Sequence, residues 1–290
     1  MAQSDEGPRG KSTLSATERD KYSNLILLCR NHHKIVDDQV SAYSVERLHE
    51  MKDAHETWVR ESLGGFDAGE QRDKELYASY VDEFVARSDL NGWRGWISGL
   101  FSAGHQHIEK QRFEALTDLR NWIFTRVWPH RMTELEDAFA NFRLVLQDLQ
   151  LVFGKHSEDF GGNLGTKKFY QIERWDPPRY ERLSSEYDFH TELVEDLALE
   201  LTRAANYVCD LVRRRLDWNF RLAEGVLTVE SGMYMDFTYH YFRPEYRSGE
   251  RTSAPYPGLS KFKKVRSTRD LHMGTGDGPS GKGQDTGGSR

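Results

Sequence analysis

The chain has 290 residues, of which 37% are hydrophobic and 30% charged, and its formal net charge is −6. This length suits a small module joined to one larger domain, and the acidic balance excludes a uniformly basic nucleic-acid binder. Two cysteines far apart in sequence exclude a disulfide framework and favour a reducing compartment. The polar N-terminus has no signal-peptide core, and no apolar run reaches the ~18 residues that span a bilayer. We therefore expect a cytoplasmic protein with no membrane partner.

For the first sixty residues, the sequence pattern predicts a polar loop, a short strand and two helices, in that order. Residues 1–12 are polar and contain Gly and Pro, so we expect a loop in which Arg9 either contacts phosphate or faces solvent. The apolar run Leu25–Leu28 favours a buried strand. Helices are predicted over residues 31–37 and, after a Ser44 cap, over residues 45–63.

Four potential metal ligands follow the predicted strand within nine residues: Cys29, His32, His33 and Asp37. Cys29 and His32 have the two-residue spacing of half a zinc knuckle. His33 and Asp37 are four residues apart, so on a helix they share one face. This density favours a metal site over scattered core histidines.

The sequence around these ligands resembles the C-terminal half of the HNH (ββα-metal) endonuclease module. The likeness covers residues 24–37 and continues through 43–56, where Tyr-Ser-Val-Glu precedes a Met-Lys-x-x-His-Glu sequence, and the opening Gly-Pro-Arg-Gly also fits. The resemblance implies that His33 binds the catalytic metal and that Asn24 braces the loop carrying the general base. Asp37 is our candidate second ligand for Mg²⁺ or Mn²⁺. Cys29 and His32 are then half of a structural zinc site.

One part of the family pattern is missing. Members carry an upstream Cys-x-x-Cys pair, which completes the zinc site, and an Ala-His-Ile segment, which supplies the general base. Residues 1–28 contain neither. We expect either a start codon misplaced inside the motif, the simpler account, or a degenerate module. The resemblance accordingly implies a metal-dependent DNA endonuclease, truncated or weakened, for which a role in bacterial defence is one expectation. The alternative expectation is a non-catalytic DNA- or partner-binding protein with a remnant module and a helical sensor or interaction domain.

The rest of the chain has a different sequence pattern, which predicts mostly helices. We predict a module over residues 1–63, a linker over 64–70, a mostly helical domain over 71–247 and a flexible tail over 248–290, with disorder from 266 onward. Within the domain, helices are predicted over 71–87, 107–128, 133–153 and 188–223, with a short strand at 168–173 and a β-hairpin between 226 and 242. The fold class is therefore mainly α: a truncated ββα-metal module followed by a helical domain.

The helical domain matches no family by its motifs, so its role is open. It recognises a target, regulates the nuclease or forms a homo-oligomer, and nuclease modules joined to such domains often belong to bacterial defence systems. A basic cluster near the end of the chain predicts weak nonspecific DNA affinity; its members are Lys261, Lys263, Lys264, Arg266 and Arg269.

Overall fold

The computed structural model describes residues 7–10, 13–64, 68–102, 105–232 and 237–279. These residues are mainly helical, which confirms the mainly α part of the predicted class. The chain divides into two compact units, Met1–Arg72 and Asp73–Arg290. The boundary lies just beyond the predicted linker, of which residues 65–67 fall outside the described ranges. Nowhere in the described ranges is a helix both long and apolar enough to cross a bilayer.

The described part of the first unit contains α1 (Ala16–Arg19), α2 (Arg30–Asp38), α3 (Val45–Gly64) and the first five residues of α4 (Ala68–Ser88). The Glu18 carboxylate accepts from the Ser15 amide at 2.9 Å, one of the two bonds of a capping box at the start of α1. The Ser44 hydroxyl accepts from the Arg47 amide at 3.2 Å and starts α3. The Ser44 cap therefore placed the start of α3 correctly.

The predicted strand Leu25–Leu28 is wrong. The segment is extended but pairs with no other strand, and Leu27 is 99% exposed. A strand needs a ladder partner, and the described residues before it, 7–10 and 13–24, form only a turn, α1 and a 3-10 turn. Of the expected ββα arrangement, the described part of this unit contains the helix and lacks the paired strands.

The first unit also buries little apolar surface. Among its described residues, the buried hydrophobic side chains are Val36 and Leu48. Lys52 is buried as well; its ammonium lies 4.0 Å from the Tyr22 ring centroid and donates to the Tyr22 carbonyl. Such a small core gives little stability on its own.

The second unit is built on long helices that pack around one continuous core. The helices of this part of the chain are α4 (Ala68–Ser88), α5 (Trp93–Ile97), α6 (Lys110–Phe124), α7 (Thr133–Lys155), α8 (Pro177–Arg215) and α9 (Leu259–Val265). α7 and α8 supply most of the buried side chains, among them Phe139 and Leu197, both fully buried. Cys209 is part of this core, as expected.

The predicted bounds of α8, residues 188–223, were wrong at both ends. The Pro177–Pro178 pair occupies the first turn of the helix, where an amide hydrogen is not needed, although proline inside a helix usually breaks it. The Asp176 side chain caps that turn by accepting from the Arg179 amide at 3.2 Å. The helix ends at Arg215, because the chain then turns through Asp217, whose carboxylate accepts from the Asn219 amide.

Two small antiparallel sheets complete the second unit. The first has strand order β1-β3-β2, with β1 (His107–Glu109), β2 (Ser157–Phe160) and β3 (Asn163–Thr166). Gly161 and Gly162 turn between β2 and β3 with positive φ. The strand predicted at 168–173 is wrong, because the strand in this region is β3, which ends at Thr166. The helix predicted from 107 begins only after β1. The predicted hairpin is confirmed as β4 (Val229–Gly232) and β5 (Tyr239–Phe242); its residues 233–236 lie outside the described ranges.

The flexible tail predicted over 248–290 is wrong for residues 248–279. This segment contains α9 and two 3-10 turns, Ser248–Glu250 and Arg266–Thr268. Tyr256 and Phe262 are buried, and Arg266 is fully buried. Arg266 and Arg269 pair with Asp196 and Glu200 of α8, which a local composition signal does not reveal. Residues 280–290 lie outside the described ranges.

Candidate functional site

The candidate site lies at the start of α2. Cys29 is the N-cap residue, and its extended backbone leads directly into the helix. The Cys29 sulfur lies 3.0 Å from Nδ1 of His32, and both side chains are exposed. The amide and then the imidazole of His32 lower the pKa of the Cys29 thiol, because both favour the thiolate. The first predicted ligand pair is therefore brought together and is accessible.

The second predicted pair, His33 and Asp37, begins at the next residue and spans the following turn of the same helix. His33 Nδ1 is 3.1 Å from Asp37 Oδ2, with His33 well exposed and Asp37 partly covered. The four-residue spacing places them on one face, as predicted. The pair presents one nitrogen donor and one carboxylate, a set that suits Mg²⁺ or Mn²⁺ when water and phosphate fill the other positions.

The four side chains nevertheless do not form one cluster. Within the described ranges there is no group of three or more His, Cys, Asp or Glu side chains arranged to hold a metal ion. The residues present fit a hydrated Mg²⁺ or Mn²⁺ at His33 and Asp37. They do not fit a structural zinc ion held by one chain, since such a site takes four protein ligands and Cys29 and His32 are two.

Arg9 supports the site in a way that sequence reasoning missed. Its side chain is 7% exposed, and it bonds Asp37 Oδ1 at 3.4 Å, the Val36 carbonyl at 2.5 Å and the Tyr43 carbonyl at 2.9 Å. A buried guanidinium satisfied by backbone carbonyls ties the opening turn to both ends of the α2–α3 connection. Arg9 is therefore a structural clamp that orients Asp37 and is covered from any phosphate.

Asn24, the expected brace of the general-base loop, lies at the end of the 3-10 turn Tyr22–Asn24. It is 6% exposed, and its side-chain amide donates to the Arg19 carbonyl at 2.9 Å. That contact closes the end of α1 onto the following turn.

The second unit carries a buried network of charges that the sequence did not reveal. Glu200 is fully buried; it accepts from Arg269 at 2.7 Å and from the Tyr246 hydroxyl at 3.0 Å. Burial raises the pKa of Glu200, against the opposing pull of Arg269 and Arg203. Asp196, 2% exposed, pairs with Arg266 at 2.9 Å. The predicted basic cluster is therefore split: Arg266 and Arg269 are internal, and only its lysines can face DNA.

An open groove of about 710 Å³ runs along α4 and α6 of the second unit. Arg126 lies over Trp122 at 5.2 Å, and Arg87 lies over the same ring at 5.6 Å. Asp82 and Glu83 also line the groove, so the two arginines do not make it uniformly positive. The groove has no arrangement of acid, base and nucleophile that defines a reaction.

Comparisons with protein-family models, with curated proteins and with solved structures yield no match to this chain.

Proposed function

We propose that the chain is an HNH-type, metal-dependent DNA endonuclease that hydrolyses phosphodiester bonds, in truncated or weakened form. The observation that carries the proposal is the His33–Asp37 pair on the open face of α2. The pair lies in a sequence that resembles the HNH motif. A Mg²⁺ or Mn²⁺ ion bound there supplies charge stabilisation for the phosphate and the leaving oxygen.

The protein's own contribution is to position the pair. Arg9 holds one carboxylate oxygen of Asp37, and the other oxygen is directed at His33. The same contact fixes the His33 ring, which is otherwise an exposed and mobile side chain. Because Arg9 is anchored to two backbone carbonyls, Asp37 stays oriented in the absence of substrate.

Activation of the attacking water is the weak point of the proposed enzyme. No histidine precedes His32 in the sequence, so the general base that the family takes from an upstream segment has no counterpart. We therefore propose slow cleavage by this chain. The genomic reading frame upstream of Met1 is a direct check: an in-frame Cys-x-x-Cys and Ala-His-Ile would favour the nuclease, and a stop codon there would favour the remnant.

A second candidate is a non-catalytic DNA- or partner-binding protein in which the module is a remnant. It is favoured by the lack of any three-ligand group in the described ranges. In this version the second unit performs the function, by binding a target or by forming a homo-oligomer. A cytoplasmic location belongs to both versions, because Cys29 and Cys209 are free thiols. A role in bacterial defence rests on the two-unit architecture alone.

Plasmid nicking separates the two candidates. We expect Mg²⁺- or Mn²⁺-dependent conversion of supercoiled to nicked plasmid, reduced about 100-fold or more by His33→Ala, because a lost metal ligand removes several kcal/mol of charge stabilisation. His49→Ala, on α3 of the same unit, is the matched control and should nick at the wild-type rate. Intact plasmid at high protein concentration in both metals would refute catalysis by this chain and leave the binding protein.

A further inference from the structure

We propose that the surface formed by residues 167–182 of the second unit binds single-stranded nucleic acid, with bases stacked on its aromatic rings and phosphates held by its cations. Three times in this segment a cation directly precedes an aromatic residue: Lys168-Phe169, Arg174-Trp175 and Arg179-Tyr180. Proteins that bind single strands without sequence preference combine these two kinds of side chain. The inference goes beyond the proposed cleavage, because it uses none of the residues at the start of α2.

The fold brings the aromatic rings of this region into one row. Tyr180 and Tyr187 lie about two turns apart on one face of α8, and the Tyr170 ring contacts both, with centroid distances of 6.1 Å and 4.7 Å. Trp175 extends the row toward solvent at 5.2 Å from Tyr180. At the other end, Phe169 contacts Tyr187 at 5.5 Å. Rings that are spread over twenty residues of sequence therefore form a continuous aromatic surface.

Trp175 is the ring of this row that is most open to a base. It is 70% exposed, whereas the other rings are half-buried. A base that stacks on the indole covers apolar surface that water otherwise contacts, and every base has such a flat face. The backbone next to Trp175 is ordered by the start of α8, where Asp176 is the cap and Pro177 and Pro178 form the first turn. Little conformational freedom is therefore lost when a base binds.

The charge of the segment suits a polyanion. Residues 167–182 contain five lysine and arginine residues against three acids, although the whole chain has a net charge of −6. Arg174 and Arg179 are exposed and form no ion pair within the described ranges. Asp176 already accepts from the Arg179 amide, but Glu173 and Glu181 are exposed and reduce the local positive charge. We therefore expect binding that requires stacking as well as charge.

Fluorescence anisotropy of labelled oligonucleotides tests the proposal with the full chain. EDTA is present throughout, so that binding is measured without metal-dependent cleavage. We expect oligo(dT) and oligo(U) of about 20 nucleotides to bind more tightly than a duplex of the same length, because paired bases do not offer their faces to a ring. Added salt should weaken the binding, with a slope of log K against log salt of about −2 for three phosphate contacts.

Variants of single residues separate stacking from charge. Trp175→Ala should weaken the binding about 5- to 150-fold, the range for loss of one base–aromatic stack, and Trp175→Phe, which keeps a ring, should retain most of the affinity. The matched control is Trp218→Ala, because Trp218 is 72% exposed but lies beyond the opposite end of α8. Arg179→Ala should make the salt slope shallower by about 0.7. His33→Ala should bind as wild type does.

Several outcomes would contradict the inference. Unchanged binding by Trp175→Ala, an equal loss in Trp218→Ala, or a duplex bound as tightly as a single strand would each overturn it. Loss in Arg179→Ala with none in Trp175→Ala would show a general polyanion surface and overturn it as well. Because Trp175 is mostly exposed, its variants should melt at the wild-type temperature. Plasmid nicking is scored separately in the presence of metal, so failure of either proposal leaves the other intact.

Discussion

Asp196→Ala tests whether the C-terminal segment is an integral part of the second unit. Asp196 is 2% exposed and lies on α8. Its carboxylate accepts from Arg266 at 2.9 Å, from the Met273 amide at 2.6 Å and from the Gly274 amide at 3.2 Å. The substitution leaves a fully buried guanidinium without its main partner and two amides without an acceptor.

The expected loss follows from that geometry. Removing one partner of a buried ion pair costs about 3–5 kcal/mol, because the remaining charge stays desolvated. For a unit of this size, each kcal/mol lowers the melting temperature by about 2–4 °C, so we expect a drop of about 6–20 °C. The matched control is Glu192→Ala. Glu192 lies 3.8 Å from the same Arg266, but its side chain is 42% exposed, and such pairs contribute about 0–1 kcal/mol.

Urea unfolding of the full chain measures both variants. A fall in the midpoint at unchanged slope would report lost stability, and early hydrogen exchange confined to residues 266–274 would report release of the segment. The double variant Asp196→Ala, Arg266→Met should recover part of the loss, because it removes the uncompensated charge. A loss below about 1 kcal/mol for Asp196→Ala, equal to the control, would show that this pair does not hold the segment.

Two further substitutions follow from buried groups of the second unit. Burial and then the neighbouring Asp196 raise the pKa of Glu195 from 4.5 to about 7, so the folded chain keeps a proton that the unfolded chain releases. The protonated carboxyl stabilises the fold fully below the lower pKa, and this contribution is lost as pH rises through the higher one. The free energy of unfolding of Glu195→Gln should therefore exceed that of wild type by up to about 3 kcal/mol near pH 8 and by nothing near pH 4.5. A pH-independent difference in urea midpoints would contradict the assignment. Gly165→Ala would place a methyl carbon 2.3 Å from Nε2 of His105 and should cost about 1–3 kcal/mol in thermal unfolding. Gly95→Ala, in open space on α5, should be neutral or stabilising, and equal effects at both glycines would refute the steric argument.

Local signals were sufficient where an element is specified by its own residues. The Ser44 cap and the apolar periodicity located α3 to within a residue, whereas the helix predicted over 107–128 is confirmed only for Lys110–Phe124. They failed at Pro177, where a residue that usually breaks helices begins one. At Leu25–Leu28 the pattern predicted a strand but carries no information about a partner, so the segment is extended and exposed.

The largest error was the C-terminal segment, and its cause is long-range. Arg266 and Arg269 look like solvated charges when only their neighbours are considered. Their acidic partners, Asp196 and Glu200, lie about seventy residues earlier. At the candidate site, helical spacing predicted that His33 and Asp37 lie side by side, and they do. Sequence reasoning missed Arg9, whose carbonyl partners are remote in sequence.

The pairing of α8 with so late a segment has a consequence for synthesis on the ribosome. Glu200 and Arg269 are 69 residues apart, a stretch that takes about 3–14 s to translate at typical rates. During that interval α8 has emerged with acids that no arginine of the final segment can yet neutralise. Until then Glu200 has Arg203 of its own helix as an ion-pair partner, and the last step of assembly in the second unit waits until residue 269 has been made.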